Sequence, residues 1–439
     1  MVLLYQPKKQ KKLRAAFTTI VQDLDYQGLG VAKIQGKTWF IENALPQEQV
    51  QVQVIEEKRQ YGLGRVQKIL QASPLRQTPR CAYYQICGGC QSQHIPIHLQ
   101  RETKQKALFQ RLTKLQKEAI DFMPMISGEA WHYRRRVRLS LYWDAKSKKL
   151  KIGFRQKNSQ QIVNIRQCDV LDPLLNELLP KLHELLSTWS KPKTLGHIEL
   201  VAADNGVAML LRVTEKLAEH DRTLLLDFAF NHQVMLFVQD EKEICHLQGD
   251  LPYYQLDDGS ILHFDIRDFI QVNRQLNQNM VNTALDWLDL KKKDNVLDLF
   301  CGMGNFTLPI SRYVKSAVGI EGVLPMVEKA RRNGERNHCH NVQFYQCDLS
   351  QSFTEQEWAK VPFDKILLDP PRSGAAFALN ALCYLMAEKI LYVSCNPATL
   401  VRDVELLLKF GYQLKKVAMI DMFPHTSHLE SISLFERNR

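Results

Sequence analysis

From residue 274 onward the chain keeps a strict rhythm. Short apolar runs alternate with helical stretches: Asn295-Val-Leu-Asp-Leu-Phe300, Ser316-Ala-Val-Gly-Ile-Glu321, Val342-Gln-Phe-Tyr-Gln-Cys-Asp348, Lys365-Ile-Leu-Leu-Asp369 and Ile390-Leu-Tyr-Val-Ser-Cys395. Strands that alternate with helices are joined by crossovers, so the pattern predicts βαβ units in a doubly wound parallel sheet. A ligand in such a sheet sits beyond the carboxyl ends of the strands. The residues that end these strands therefore matter most.

The first run leads into Asp298-Leu-Phe-Cys-Gly-Met-Gly-Asn-Phe306. Two glycines two apart let the backbone approach a ligand at a helix N-terminus. D-x-x-x-G-x-G without a third glycine looks like the first motif of class I S-adenosylmethionine (SAM) methyltransferases. Glu321 and Asp348 end the next two runs, where carboxylates can accept hydrogen bonds from a ribose and from an adenine amino group. Asp369-Pro-Pro-Arg-Ser-Gly374 follows, its prolines holding the strand end extended. The motif is close to the Asp-Pro-Pro-aromatic loop of amino-group methyltransferases, but Arg372 stands where the aromatic would be. Cys395 lies at a strand's carboxyl end before a helix N-terminus, where the dipole is expected to lower a thiol's pKa as a nucleophile requires. Glu430 ends the turn-rich segment Phe423-Pro-His-Thr-Ser-His-Leu-Glu430.

The front of the chain is built differently. Residues 17–70 read as five short strands, with Val50, Val52 and Val54 alternating with glutamines, enough for a small barrel of the OB kind. Residues 1–166 carry 30 Lys+Arg against 11 Asp+Glu, a net +19; the remainder carries 28 against 36, a net −8. A basic half of this size is the electrostatic footprint of a phosphate-bearing partner. Trp131, Tyr133 and Tyr142 interleave there with Arg134, Arg135, Arg136 and Arg138, a composition suited to RNA. No apolar run reaches the ~18 residues of a membrane span. The N-terminus turns to lysines after five apolar or aromatic side chains. A soluble, cytoplasmic protein is expected.

Ten cysteines are too few for a disulfide scaffold, and their clustering points to metal or catalysis. Cys81-x5-Cys87-Gly-Gly-Cys90 supplies three thiolates and the remote Cys168 a fourth. Soft thiolates select zinc or an iron-sulfur cluster, and the spacing leaves both open. C-x3-C-x2-C, the radical-SAM pattern, is absent.

Taken in order, D-L-F-C-G-x-G-N-F, L-D-P-P-R-x-G, V-S-C-N-P and F-P-x-T-x-H-x-E resemble the RNA (uracil-5)-methyltransferase family, as does Phe269-Ile-Gln-Val-Asn273 ahead of them. The N-terminal segment resembles a TRAM domain. The resemblance implies a multidomain α/β protein. A TRAM barrel would span residues 10–72 and a central α+β RNA-binding region with the iron-sulfur cysteines 73–268. A Rossmann-like SAM-dependent methyltransferase domain would span 269–439. It implies Cys395 as the nucleophile toward carbon 6 of uracil and Glu430 as the base that removes the carbon 5 proton. Gln271, Phe300, Asn305, Glu321, Asp348 and Asp369 would surround SAM, with Gln271 and Asp369 near the base. Cys81, Cys87, Cys90 and Cys168 would hold a [4Fe-4S] cluster. Barrel and cluster together imply 23S ribosomal RNA as the partner, flipping of the target base, and 5-methyluridine as the product. Another RNA uracil, or a cytosine-5 or exocyclic-amine target, is the alternative.

Overall fold

A computed structural model of the chain describes residues 16–437. It divides into two compact units, one comprising residues up to 79, 91–107 and 425–427, the other 80–90, 108–424 and 428 onward.

The first unit contains a six-stranded sheet where five strands were expected, because the first apolar run bends at Val21-Gln22. Its first half, Phe17–Ile20, pairs antiparallel with Gln49–Glu57, and its second half, Asp23–Leu24, with Gly30–Ile34. One bent segment thus serves both ends of the sheet and closes it into a barrel. Val50 and Val52 point inward with Val21, Ala32, Trp39 and Ile41. A Cβ at Gly62 would sit 2.4 Å from the Trp39 ring, so only glycine lets that ring pack.

The second unit holds two large sheets. A seven-stranded sheet has the strand order Ile162–Asn164, Lys149–Arg155, Arg136–Asp144, Leu195–Ala203, Gly206–Val213, Val234–Gln239, Ile244–Gln248. Helices Pro173–Ser187 and Glu219–Asn231 bury one face through Leu175, Leu179, Leu182 and Phe228 against Val137, Leu139, Leu200 and Leu211. On the other face Val201, Ala203, Ala208, Leu210 and Met235 enter the core of the methyltransferase-like region.

The eight-stranded sheet confirms the α/β reading. Val342–Gln346, Ser316–Glu321, Asn295–Leu299, Lys365–Leu368 and Lys389–Ser394 lie side by side and parallel. Glu430–Arg437 then runs antiparallel between Lys389–Ser394 and Tyr412–Ile420. Asp121–Phe122, from well outside the 274–437 region, adds at the far edge beside Lys416 and Val417. The chain winds outward from Asn295–Leu299 in one direction and returns beside it with Lys365–Leu368. That reversal opens the crevice in which such sheets bind ligands. No helix among the described residues is long and apolar enough to cross a membrane.

Candidate active site

Sheet register places the two residues expected to do the chemistry. Ser394 pairs with Ser431 in the antiparallel ladder, so the next position sets Cys395 opposite Glu430. Cys395 is half-buried and Glu430 is 8% exposed. Asn396 then caps the Pro397–Lys409 helix, its side chain accepting from the Ala398 amide at 3.0 Å. The same side chain donates to the Arg372 carbonyl oxygen at 3.1 Å, tying the Asp-Pro-Pro-Arg loop to the cysteine loop. Arg372 in turn reaches His428 Nδ1 at 3.1 Å.

The environment of the thiol overturns the expected pKa. Cys395 does precede a helix N-terminus, yet its pKa is pushed up to about 11. Burial is the largest cause, and the charges of Glu430 and Asp369 add to it; Arg372 opposes them without prevailing. Asp369 itself is raised to about 7 by burial. Burial, reinforced by the two carboxylates, sets the thiol's pKa.

The glycine loop is strained where a ligand would lie. Phe300, Gly302 and Gly304 all have positive φ, +65°, +56° and +98°, and for a phenylalanine this is an outlier. A Cβ on Gly302 would meet only the Met326 methyl at 4.0 Å, so the space beside its α-carbon is open. Glu321 is half-buried beside it, its carboxylate accepting from the amides of Gly302 at 3.2 Å and Val323 at 3.0 Å. Asp348 lies two residues past its strand, exposed and lowered in pKa by Ser350, whose hydroxyl and amide both donate to it. Asp298 is 1% exposed and holds the loop from behind, accepting from Thr307 Oγ1 at 2.5 Å. Burial raises it to about 7.

Asn305 and Gln271 are positioned by Tyr254, Asn277 and Arg135, which the sequence did not connect with the loop. The Asn305 amide exchanges two 3.0 Å hydrogen bonds with Asn277 and also accepts from the Tyr254 hydroxyl at 2.9 Å. The Gln271 carbonyl oxygen accepts from Arg135 Nε at 2.8 Å, and the Arg135 guanidinium lies 4.8 Å from the centre of the Tyr254 ring. Arg135 is 2% exposed. Asn273 of the same motif caps the Arg274–Leu288 helix, accepting from the Leu276 amide. No spacing in the sequence marks Tyr254, Asn277 or Arg135 as neighbours of the loop, because strand and helix packing brings them there.

The structure brings Cys168 within electrostatic reach of Cys81, Cys87 and Cys90. The 80–90 loop is stitched to the Lys149–Arg155 hairpin by a Cys87–Gln156 bridge, by the Gly88 amide donating to the Arg155 carbonyl at 3.0 Å, and by Lys157 over the Tyr84 ring at 4.2 Å. Cys168 is reached through Asn176, whose side chain accepts from its amide at 2.7 Å. Its thiol is pushed up to about 12 by burial and by the nearby Cys90, Cys81 and Cys87. The Gly89 amide donates to Cys87 Sγ at 3.4 Å, and the Tyr84 amide donates to the Cys81 carbonyl oxygen at 3.0 Å. Among the described residues, no three His, Cys, Asp or Glu side chains are drawn together closely enough to hold a single metal ion.

Comparison with known proteins gives a consistent picture. The tRNA (Uracil-5-)-methyltransferase family model matches residues 97–438, and the TRAM domain model matches residues 10–67. The chain is 99% identical over 439 residues to a curated 23S rRNA (uracil(1939)-C(5))-methyltransferase, RlmD, of Histophilus somni, covering 100% of both. It is 68% identical over 438 residues to the protein of that name from Mannheimia succiniciproducens, again covering 100% of both. Among solved structures, Pyrococcus abyssi tRNA (uracil-54, C5)-methyltransferase in complex with S-adenosyl-L-homocysteine shares the fold, with a TM-score of 0.73 at 23% identity. That match covers 95% of this chain and 100% of the other.

Proposed function

The chain belongs to the tRNA (Uracil-5-)-methyltransferase family, and from that premise we propose how its residues carry out the reaction on RNA. It is a SAM-dependent methyltransferase that modifies carbon 5 of a uracil in 23S ribosomal RNA, the uracil at position 1939 named for its relatives. The observation that carries the assignment of roles is the register that sets Cys395 opposite Glu430 beside Asp369.

Carbon 5 of uracil is a poor nucleophile, so the ring must first be activated. The Cys395 sulfur bonds to carbon 6, and the ring's π pair moves to make carbon 5 enolate-like. SAM, when bound, supplies the methyl group that carbon 5 accepts. Glu430 takes the proton from carbon 5; that electron pair restores the double bond and expels the sulfur. Because burial keeps the resting thiol protonated near pH 7, its proton passes to water as the carbon–sulfur bond forms. Phe300, Asn305, Glu321 and Asp348 hold SAM, the open face of Gly302 receiving it, while Gln271 and Asp369 share the target base. The base must leave its stack for its ring face to reach a half-buried thiol.

Cys81, Cys87, Cys90 and Cys168 hold a [4Fe-4S] cluster in this reading. Amide hydrogen bonds to sulfur are a feature of such sites. Four soft thiolates suit an iron-sulfur cluster, and the family resemblance favours it over zinc. The cluster would staple the 80–90 loop to the strands of a central RNA-binding region, 73–268, between a barrel at 10–72 and a catalytic domain at 269–439. With 23S rRNA as substrate, the protein works in the cytoplasm.

The assignment is tested with 23S rRNA fragments carrying 5-fluorouracil. Fluorine cannot be removed as a proton is, so the adduct should persist as a protein–RNA species of the summed mass in the unmodified protein and be absent from Cys395→Ala. An adduct of equal yield in that variant would overturn the role given to Cys395.

A further inference from the structure

One group of charged residues stands outside the catalytic cleft. Along the Arg136–Asp144 strand the period of two puts Val137, Leu139 and Leu141 on the helix-covered face and Arg136, Arg138, Ser140 and Tyr142 on the other. That second face is covered where Val201, Ala203, Ala208, Leu210 and Met235 enter the catalytic core. Arg138 and Tyr142 lie beyond the cover; the Arg138 side chain is 61% exposed and Tyr142 is 54% exposed.

Beneath Arg138 the neighbouring strand supplies Glu199 and His197, paired in the ladder with Arg138 and Ser140. Both are 7% exposed. Glu199 accepts from Arg136 Nη2 at 2.9 Å and lies 3.9 Å from Arg138 Nε and 3.4 Å from His197 Nε2. Arg138 Nη2 approaches His197 Nδ1 at 3.1 Å, so the imidazole sits between Arg138 and Glu199. Arg136 also donates to the Asp268 carbonyl oxygen, three residues before Gln271. Arg136, Arg138, Glu199 and the exposed Arg267 line an open cavity of about 620 Å³. Three guanidinium groups face one carboxylate, and the carboxylate is the buried member. A buried acid that fixes arginines toward an open cup leaves a net positive site matched to a phosphate oxygen pair.

Resting on the reading of the protein as an RNA methyltransferase, we propose that this cup binds a phosphodiester of the RNA beside the target nucleotide. Arg136, Arg138 and Arg267 are its ligands, and Glu199 and His197 are positioning residues that hold two of them. Tyr142, about 13 Å farther along the strand, offers an aromatic face for an unstacked base of the same segment.

The test compares the unmodified protein with Arg138→Ala/Arg267→Ala, Glu199→Gln and Tyr142→Ala on a 23S rRNA fragment that the unmodified protein converts to 5-methyluridine. The double variant should raise KM for RNA about tenfold with kcat within twofold, and should lower the slope of log affinity against log salt by about 1. Glu199→Gln, which keeps both arginines, should raise KM by a smaller factor, and Tyr142→Ala by a smaller one still. Should the double variant not fold, Arg267→Ala alone, at an exposed position, should still raise KM and lower the salt slope. Wild-type KM and salt slope in folded variants would overturn the cup while leaving the methyltransferase reading intact. Absence of 5-methyluridine with the unmodified protein would instead overturn that reading, and the cup with it.

Discussion

The two large sheets of the second unit put their working residues in opposite places. The eight-stranded sheet buries both faces and gathers its reactive groups at strand tips: Phe300, Glu321, Asp369, Cys395 and, across the ladder, Glu430. The seven-stranded sheet leaves part of one face open and sets cations along the strand, with Arg138 and Tyr142 on the uncovered side. At a tip the backbone leaves the ladder, so several chains can aim different groups at one atom. Along a face the side chains keep a fixed ~7 Å repeat, which suits the repeating charge of a polymer better than a single reacting carbon.

The division breaks if substitutions at strand tips alter RNA affinity or those on the open face alter chemistry. Cys395→Ala should show the largest effect, at least about 10⁴-fold in turnover, with RNA and SAM affinities within twofold by equilibrium titration. Glu430→Gln should follow, at about 10²- to 10⁴-fold, and with a distinct signature. The sulfur–carbon 6 adduct should accumulate on ordinary RNA, seen as a gel-shifted species stable to denaturant.

The raised thiol gives a pH prediction. With the Cys395 pKa near 11, the free thiolate is scarce at pH 7 and increases about tenfold per pH unit up to that value. Alkylation of Cys395 by iodoacetamide, followed peptide by peptide, should therefore rise about 100-fold between pH 7 and pH 9. Glu430→Gln removes one of the charges that raise the pKa and should speed alkylation at pH 7; no change would show that the Glu430 charge does not contribute. The smallest effect on chemistry should come from Cys90→Ser. Anaerobically purified protein should lose its visible iron-sulfur absorbance in that variant, with lower RNA affinity and kcat changed only a few-fold. A colourless unmodified protein containing zinc would contradict the cluster.

Much of this was legible in the sequence, for reasons that differ by residue. The parallel strands were readable because burial on both faces writes continuous apolar runs, and each run did form a strand. The glycine loop was readable because Gly302 and Gly304 need positive φ. The opposition of Cys395 and Glu430 was not, since it depends on Glu430–Arg437 inserting ahead of Tyr412–Ile420 in the sheet, an order that no local pattern encodes. The pKa of Cys395 was misjudged for the same reason. The helix after it is local, whereas Asp369 and Glu430 arrive from 26 residues before and 35 after it. The basic aromatic stretch could not be sorted from sequence either. Tyr133 proves buried, donating to the Pro424 carbonyl oxygen at 3.1 Å, and Arg135 lies beneath the Gln271 loop, leaving Arg138 and Tyr142 on the open face.

The central claim is that a cysteine and a glutamate at adjoining strand tips activate and then deprotonate one uracil carbon. Its most direct test is tritium release from 23S rRNA fragments labelled at carbon 5 of the uracils, measured beside methyl incorporation. With the unmodified protein one tritium should be released to water for each methyl group gained, and in Glu430→Gln tritium release should lag behind methyl incorporation into the trapped adduct. Free methylated product formed by the unmodified protein with the tritium retained would contradict the account, because the methyl group would then have gone to an atom other than carbon 5.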